Sequence, residues 1–173
     1  MMRFPHSKSE IISEIFRPIF SQNLSSLMYN THMSWLTGGK SAEAKRLIAQ
    51  LADLATRDRA AQDLDRLDAD ALPALLEALQ TRDLNLLNLY EQILARIPSA
   101  SPELLKLLST AHPILRARAA DVLGLRKDTS AVHALLDALK GEFYTVRARA
   151  AVALGRIGDG QAIKPLFLAL KDP

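Results

Sequence analysis

Residues 131–161, AVHALLDALKGEFYTVRARAAVALGRIGDGQ, repeat the stretch that directly precedes them. Residues 100–130, ASPELLKLLSTAHPILRARAADVLGLRKDTS, align with them without a gap at a spacing of 31, and 12 of 31 positions are identical. A further unit begins on schedule, because residues 162–173 match residues 131–142 at 5 of 12 positions. Internal self-similarity at a period of this order is the sequence signature of repeat architectures. The repeat therefore decides the fold.

Weaker copies of the unit precede the clear ones. Residues 74–97 fit the pattern with a shift of 29 in place of 31, and residues 59–67 resemble a degraded copy of the second half of a unit. We therefore predict about four repeats in residues 41–173, the last of them incomplete at its C-terminal end. Since that last unit stops before its second helix, we expect either a fragment of a longer protein or a second subunit that supplies the missing surface.

Each unit is predicted to contain two helices. Ala131–Lys140 and Thr145–Ile157 both carry apolar residues at spacings of three and four, which is typical of amphipathic helices. Gly141 interrupts the pattern between them, and residues 158–160 close the unit with a glycine that permits a left-handed residue and an acid that can cap the next helix. Because neither helix can bury its apolar stripe alone, we predict an all-α fold, a right-handed α-solenoid of antiparallel helix pairs.

The repeat also resembles a known family. The pattern Val-Arg-x-x-Ala-Ala-x-Ala-Leu-Gly-x-Ile-Gly-Asp at Val146–Asp159, followed by Ala-Ile-x-Pro-Leu-x-x-Ala-Leu-Lys-Asp-Pro at Ala162–Pro173, resembles the short HEAT-like repeats of the phycobilisome-lyase type. The resemblance is strong over Ser101–Pro173, weaker over Leu47–Ile97 and absent over Met1–Lys40. It implies an armadillo-like α-solenoid, but this repeat type serves scaffolds, lyase subunits, metal enzymes and DNA-repair glycosylases, so the fold does not decide the function.

A helical wheel over the second helix of the unit separates two kinds of arginine. Arg147 and its counterpart Arg116 border the buried stripe. We predict that they form a ladder of hydrogen bonds between repeats, to which Asp128 and Asp159 at the ends of the units also contribute.

Other arginines on the same helices point away from the core, where they are either solvated or form a stripe that binds an acidic partner. These are Arg118, Arg149 and Arg156. Phe143 and Tyr144 at the turn between the helices would add an aromatic anchor of the kind that dominates interface energies. We predict that these five residues contact the partner.

The N-terminal segment Met1–Lys40 differs in composition and is predicted to be a helical N-terminal cap on the first repeat, or else a helix that binds a partner or a membrane surface. Its end, Gly38-Gly39-Lys40-Ser41, invites comparison with a phosphate-binding loop, but Ser34 stands where that motif needs a glycine. We predict a flexible linker here, with Ser41 capping a helix that begins at Ala42.

Composition limits the chemistry of the chain. It has 173 residues, 49% of them hydrophobic, a net charge of +3 and no cysteine, which excludes disulfides, thiolate metal sites and cysteine nucleophiles. None of the four histidines precedes a glutamate, whereas the di-iron enzymes built from such repeats carry paired His-Glu ligands, so we expect no metal site. The sequence holds no apolar run long enough to span a membrane, and we expect a cytoplasmic protein.

These observations predict a non-enzymatic scaffold or adaptor that binds another protein, with an acidic surface, on the concave face of the solenoid. We expect no catalytic residue and no cofactor, and a hetero-oligomer is one arrangement that this function allows. The first alternative, implied by the resemblance, is a subunit of a bilin lyase-type complex that acts on a phycobiliprotein and binds a bilin. The second is a nucleic-acid-binding protein, which the small net charge of +3 makes unfavourable.

Overall fold

The computed structural model describes residues 38–169, and within them the chain forms nine α-helices, four short 3-10 helices and no strand. The helices in chain order are α1 (Gly38–Gln50), α2 (Arg57–Leu67), α3 (Leu72–Ala78), α4 (Leu84–Arg96), α5 (Ser101–Leu108), α6 (Pro113–Arg126), α7 (Val132–Ala138), α8 (Tyr144–Ile157) and α9 (Ile163–Ala169). Each 3-10 helix directly precedes α3, α5, α7 or α9. Nearly all of the predicted N-terminal cap lies outside the described residues.

The helices stack as pairs in a row. We call α2, α4, α6 and α8 the second helices and α1, α3, α5, α7 and α9 the first helices. The most extensive packing joins α6 to α8, and α4 also packs on α6, so the second helices contact one another from unit to unit. Each of α5 and α7 packs on the second helix of its own unit. The predicted all-α solenoid of helix pairs is confirmed.

Positions that the two clear repeats share are the ones that the fold buries. Leu104 and Leu135 occupy the same place in successive first helices and are both fully buried, and Leu123 and Leu154 do so in the second helices. Full burial of such a side chain contributes roughly 1.5–3 kcal/mol. With few aromatic residues, the core consists of leucine, alanine, isoleucine and valine, and the chain buries it by stacking units.

A glycine sets the distance between α6 and α8. A Cβ atom added to Gly124 would lie 2.7 Å from the Cα and 2.9 Å from the Cβ of Ala153. The equivalent residue of the next unit, Gly155, has nothing within 4 Å of the same hypothetical atom among the described residues. Two glycines at one repeat position therefore have different roles, since the first permits a close helix approach and the second is open.

The junctions between units use the predicted glycine and acid. Gly158 adopts the left-handed conformation at the end of α8 with φ 76°, and Lys127 does the same at the end of α6 with φ 53°. Asp159 accepts a hydrogen bond from the Gln161 amide at 2.8 Å. The acid thus caps the short 3-10 helix that leads into α9, and α9 itself begins only after it.

The prediction for the end of the N-terminal segment was wrong. Gly38-Gly39-Lys40-Ser41 forms the first turn of α1, so it is neither a linker nor a cap that precedes a helix at Ala42. The ammonium of Lys40 binds the carboxylate of Asp70 at 2.8 Å, which ties this turn to the next unit. The stretch that follows is rich in alanine, lysine and glutamate, and these strong helix formers extend the helix backwards over the two glycines.

The glycine pair gives a matched test of the stacking. Gly124→Ala should lower the free energy of unfolding by about 2 kcal/mol, because the new methyl group meets the backbone of Ala153 and overpacks the α6–α8 contact. Gly155→Ala should raise it by up to about 1 kcal/mol, since alanine is the better helix former and meets no neighbour. Urea unfolding monitored by circular dichroism measures both. Equal stabilisation by the two variants would contradict the close contact.

Candidate partner-binding surface

Exposed large apolar side chains concentrate on the second helices. Of those in the described residues, Leu54 lies in a loop and three lie on α9, whereas six lie on or beside α4, α6 and α8. These six are Leu84, Ile114, Leu125, Phe143, Tyr144 and Val152. These residues lie near the starts, middles and ends of the helices, and they share those helices with the predicted binding arginines. We therefore describe the candidate site on the second helices.

The three arginines predicted to point outwards lie on these helices and differ in exposure. The Arg149 side chain is 57% exposed, and its Nη1 lies 3.2 Å from Oδ2 of Asp121. Arg156 is exposed near the end of α8. Arg118 is half-buried, and its Nη2 donates a hydrogen bond of 2.9 Å to the carbonyl oxygen of Thr81. Arg118 thus has a structural bond to the preceding unit, whereas Arg149 and Arg156 present their charges to solvent.

Two buried carboxyl groups lie beneath these arginines, and sequence reasoning missed both. Glu91 on α4 is 7% exposed and Asp121 on α6 is 6% exposed, and they are the buried charged residues of the part of the chain that the structure describes. Asp121 is paired with Arg149, but no side chain of residues 38–169 forms a hydrogen bond or ion pair with Glu91. We call Glu91, Asp121 and the three arginines 118, 149 and 156 the arginine–carboxyl cluster.

Burial governs the protonation of this cluster. Burial and, after it, the negative charge of Asp121 raise the pKa of Glu91 to about 7, against the opposing effect of the three arginines. Burial also raises the pKa of Asp121, against the influence of Arg149 and Arg156. The pKa of Arg118 is lowered, again because its guanidinium is partly desolvated. Since three guanidinium groups face two carboxyl groups, the cluster is net cationic even when both acids are ionised.

The predicted ladder arginines hold turns and pack between units. Nη1 of Arg147 donates to the carbonyl oxygens of Gly141 at 3.1 Å and Glu142 at 2.9 Å, and both of these bonds lie within its own unit. Its guanidinium also lies 6.0 Å from the centre of the Tyr144 ring, a cation–π distance. Nη2 of Arg116 lies 3.4 Å from the point that a Cβ of Gly141 would occupy, so it reaches the turn of the following unit. The ladder of hydrogen bonds between units stays a prediction for these two arginines.

A set of hydrogen bonds between units comes from Arg126, an arginine that the sequence analysis did not select. Nη1 of Arg126 donates to the carbonyl oxygens of Leu94 at 3.2 Å, Ala95 at 3.0 Å and Ile97 at 2.6 Å, at the C-terminal end of α4. A cation is favourable there because the last carbonyls of a helix carry its negative partial charge. Arg96 occupies the matching place one unit earlier and pairs with Asp65 of α2 at 3.0 Å. A basic residue in the last turn of successive second helices was the signal available.

The acidic members of the predicted ladder behave differently from each other. Asp128 accepts hydrogen bonds from the hydroxyls of Ser101, at the start of the same unit, and Ser130. Burial disfavours its charge, but these hydrogen bonds outweigh that effect and lower the pKa of Asp128. Asp159 makes only the local cap described above among the described contacts. Asp128 therefore ties the end of its unit to the first helix of the same unit, and Asp159 shapes a junction.

The described residues also form an open groove. It has a volume of about 530 Å³ and lies between α1, α3 and α4, where aliphatic and polar side chains surround Tyr90 and the Lys45–Glu77 ion pair. Residues 38–169 contain no group of three or more histidine, aspartate or glutamate side chains placed to hold a metal ion. Within the same range, no helix combines the length and apolar character needed to cross a membrane.

The buried Glu91 predicts a pH dependence of stability. Because its folded-state pKa is raised from the ordinary 4.5 to about 7, the folded protein keeps a proton that the unfolded chain loses, and stability falls as the pH rises through this window. Glu91→Gln should therefore be more stable than the native protein at pH 8, by on the order of 2 kcal/mol, and similar to it near pH 4. Denaturant unfolding across this range measures the difference. Glu142→Gln, at an exposed position, is the control, and parallel pH profiles for the native protein and Glu91→Gln would contradict the assignment.

Comparison with known proteins agrees with the geometry. Residues 101–173, which contain α5 to α9, match a family model described as HEAT repeats. No curated protein matches the chain. The match is to HEAT repeats in general, and the phycobilisome-lyase type stays a prediction. Together with the stacked helix pairs, it identifies the fold as an all-α HEAT-like solenoid.

Proposed function

We propose that this protein is a non-enzymatic interaction module that binds an acidic segment of another protein on the outer face of α6 and α8. The observation that carries the proposal is the arginine–carboxyl cluster, in which Arg149 and Arg156 present exposed guanidinium groups above two buried acids. HEAT repeats commonly mediate protein–protein interaction, and stacked units offer an extended surface for it. The second helices are the ones on which the sequence predicts the binding residues, and the concave shape of that face stays a prediction.

The exposed guanidinium of Arg149 can bind a carboxylate of another protein in addition to, or in place of, Asp121. The arginine side of its ion pair with Asp121 is more than half exposed, so the guanidinium keeps donors open to solvent and to a second carboxylate. A partner carboxylate can therefore bind the guanidinium at small cost, and arginine binds carboxylates with two parallel hydrogen bonds. Because Asp121 is buried, it stays below the surface and holds the guanidinium in position.

The net charge of the cluster favours an acidic partner over a basic one. A lysine or arginine of a partner would meet three guanidinium groups before it reached Glu91 or Asp121, both of which are more than nine-tenths buried. An acidic side chain meets Arg149 and Arg156 first. Complementary charge raises the association rate and excludes partners of like charge.

Charge reversal tests the proposal. The double variant Arg149→Glu/Arg156→Glu should weaken binding of a labelled Asp-Ser repeat peptide at least about tenfold in fluorescence anisotropy at low salt, because both exposed cations are replaced by anions. Its free energy of unfolding should fall by only about 1–2 kcal/mol, because Asp121 loses its cationic partner but can take up a proton, its pKa being already raised by burial.

The matched control reverses two exposed lysines elsewhere, Lys140→Glu/Lys164→Glu, and carries the same change in net charge. If both double variants lose binding equally, the loss follows from the change in net charge alone, and this result would contradict a defined site. A large loss of stability in the arginine variant would assign these residues to the fold.

A further inference from the structure

One side of α6 is covered by α8, and the equivalent side of α8 is open. The buried residues on this side of α6 are Ala117, Asp121 and Gly124. At the repeat spacing of 31 they correspond to Ala148, Val152 and Gly155 of α8. Val152 is 46% exposed, Ala148 is half-buried, and a Cβ atom on Gly155 would meet nothing within 4 Å among the described residues. We call Ala148, Val152 and Gly155 the uncovered face of α8.

Helix α9, at the same end of the described residues, has exposed positions that the preceding first helix buries. Val132, the first residue of α7, is 3% exposed, whereas its equivalent Ile163, the first residue of α9, is 72% exposed. Leu135 is fully buried, and its equivalent Leu166 is only half-buried. Helix α7 packs on α8, the second helix of its own unit, and no second helix follows α9 within residues 38–169. The exposed positions on α8 and α9 are therefore those that a further second helix would cover.

The contact between α6 and α8 shows how a helix would lie on the uncovered face. Nη1 of Arg149 lies 3.2 Å from Oδ2 of Asp121, and further along both helices a Cβ atom added to Gly124 would lie 2.9 Å from the Cβ of Ala153. The two helices therefore run in the same direction and approach closely at the glycine. Because Gly155 repeats Gly124, a helix that lies parallel to α8 can approach it equally closely.

Charge specifies the chemistry of a helix on this face. Val152 stands where α6 has Asp121, so no buried acid is present there to pair with a cation. Arg156 is exposed, lies four residues after Val152 and is therefore its neighbour on the surface of α8. An acidic residue above Val152 would meet Arg156, whereas an arginine would be repelled. A second copy of α8 in this place would bring its own Arg149 above Val152, so charge disfavours a second copy of the chain.

We propose that the uncovered face of α8, together with the exposed side of α9, binds an amphipathic helix of a partner protein that lies parallel to α8 and places an acidic residue at Arg156. The proposal rests on the proposed function, because it specifies the conformation of the acidic segment. Helices that bind in this way contact their partner through residues at spacings of three, four and seven, and the uncovered face of α8 has the spacings of four and seven. Val152 and Ile163 supply exposed apolar surface, and Gly155 permits the close approach.

A peptide derived from α8 tests the site, since α8 is the helix that covers the equivalent face of α6. The probe has the sequence of Tyr144–Ile157 with Arg149→Glu and Arg156→Glu, and its control has the same composition in an order that breaks the helical spacing. The probe should bind the full chain about tenfold more tightly than the control in isothermal titration calorimetry, because only the probe forms a helix with one apolar stripe. The unsubstituted peptide, which places an arginine above Val152, should bind about tenfold more weakly than the probe.

Variants at the open glycine supply the second arm. Gly155→Ala should weaken binding of the probe about tenfold, although the same substitution is expected to stabilise the protein alone, because a Cβ at the equivalent Gly124 would lie 2.7 Å from the backbone of the covering helix. Gly155→Phe should weaken it about a hundredfold or more for the same reason. Gln62→Phe adds the same side chain at an exposed position of α2 and should leave binding unchanged. Urea unfolding of each variant establishes that the protein remains folded.

The outcomes separate this inference from the proposed function. Equal affinity for the probe and its control, with both lost in Arg149→Glu/Arg156→Glu, would overturn the helix site and leave the acidic-partner proposal standing. If that double variant changes binding of neither the probe nor the Asp-Ser peptide, both proposals fail. Binding of the probe that is unchanged in Gly155→Ala and Gly155→Phe would overturn its assignment to α8. Dimerisation of the chain in analytical ultracentrifugation that Gly155→Phe abolishes would assign the face to a second copy and overturn the partner helix.

Discussion

The close approach of α6 and α8 at Gly124 is the contact on which the rest of the structure depends. It brings the backbone of Ala153 into van der Waals range of the glycine and so fixes how far apart successive second helices lie. That distance brings Arg149 of α8 to 3.2 Å from Asp121 of α6. The stacking of the units therefore also sets the geometry of the proposed binding surface, because a solenoid has no central core that could position the surface independently.

The arginine–carboxyl cluster carries a desolvation free energy that folding does not require. An apolar residue at Glu91 would avoid the desolvation that raises the pKa of this carboxyl group to about 7, and the equivalent of Asp121 in the next unit is Val152. Buried charges are poor contributors to stability, so their presence beneath exposed arginines favours a role in orienting those arginines. At the junctions between units, by contrast, arginine stabilises the fold, as Arg126 does when it binds the last carbonyls of α4.

The internal repeat allowed the fold to be predicted from the sequence. It gave no signal for several residues of the candidate site. Positions identical between units, such as Leu104 and Leu135, are core positions, and periodicity located the helices of the clear repeats within a few residues. The sequence analysis did not select Glu91 and Asp121, because the equivalent positions of the other units do not carry an acid. An alignment of the units therefore gives no reason to choose them. The sequence analysis did not select Arg126, because its partners are backbone carbonyls. Every residue has such a carbonyl, so no particular residue type in the sequence points to this contact. The first turn of α1 was missed since two glycines outweighed the helix formers that follow them.

Native-state hydrogen exchange measured by NMR on the full chain tests the central claim most directly. If the α6–α8 contact unites the units, amides in the middle of both helices should exchange with the same, highest opening free energy and should lose protection together as urea is added. Helix α9, which packs on fewer of the described helices, should have a lower opening free energy. Independent opening of α8, with α6 still protected at higher urea, would contradict the account.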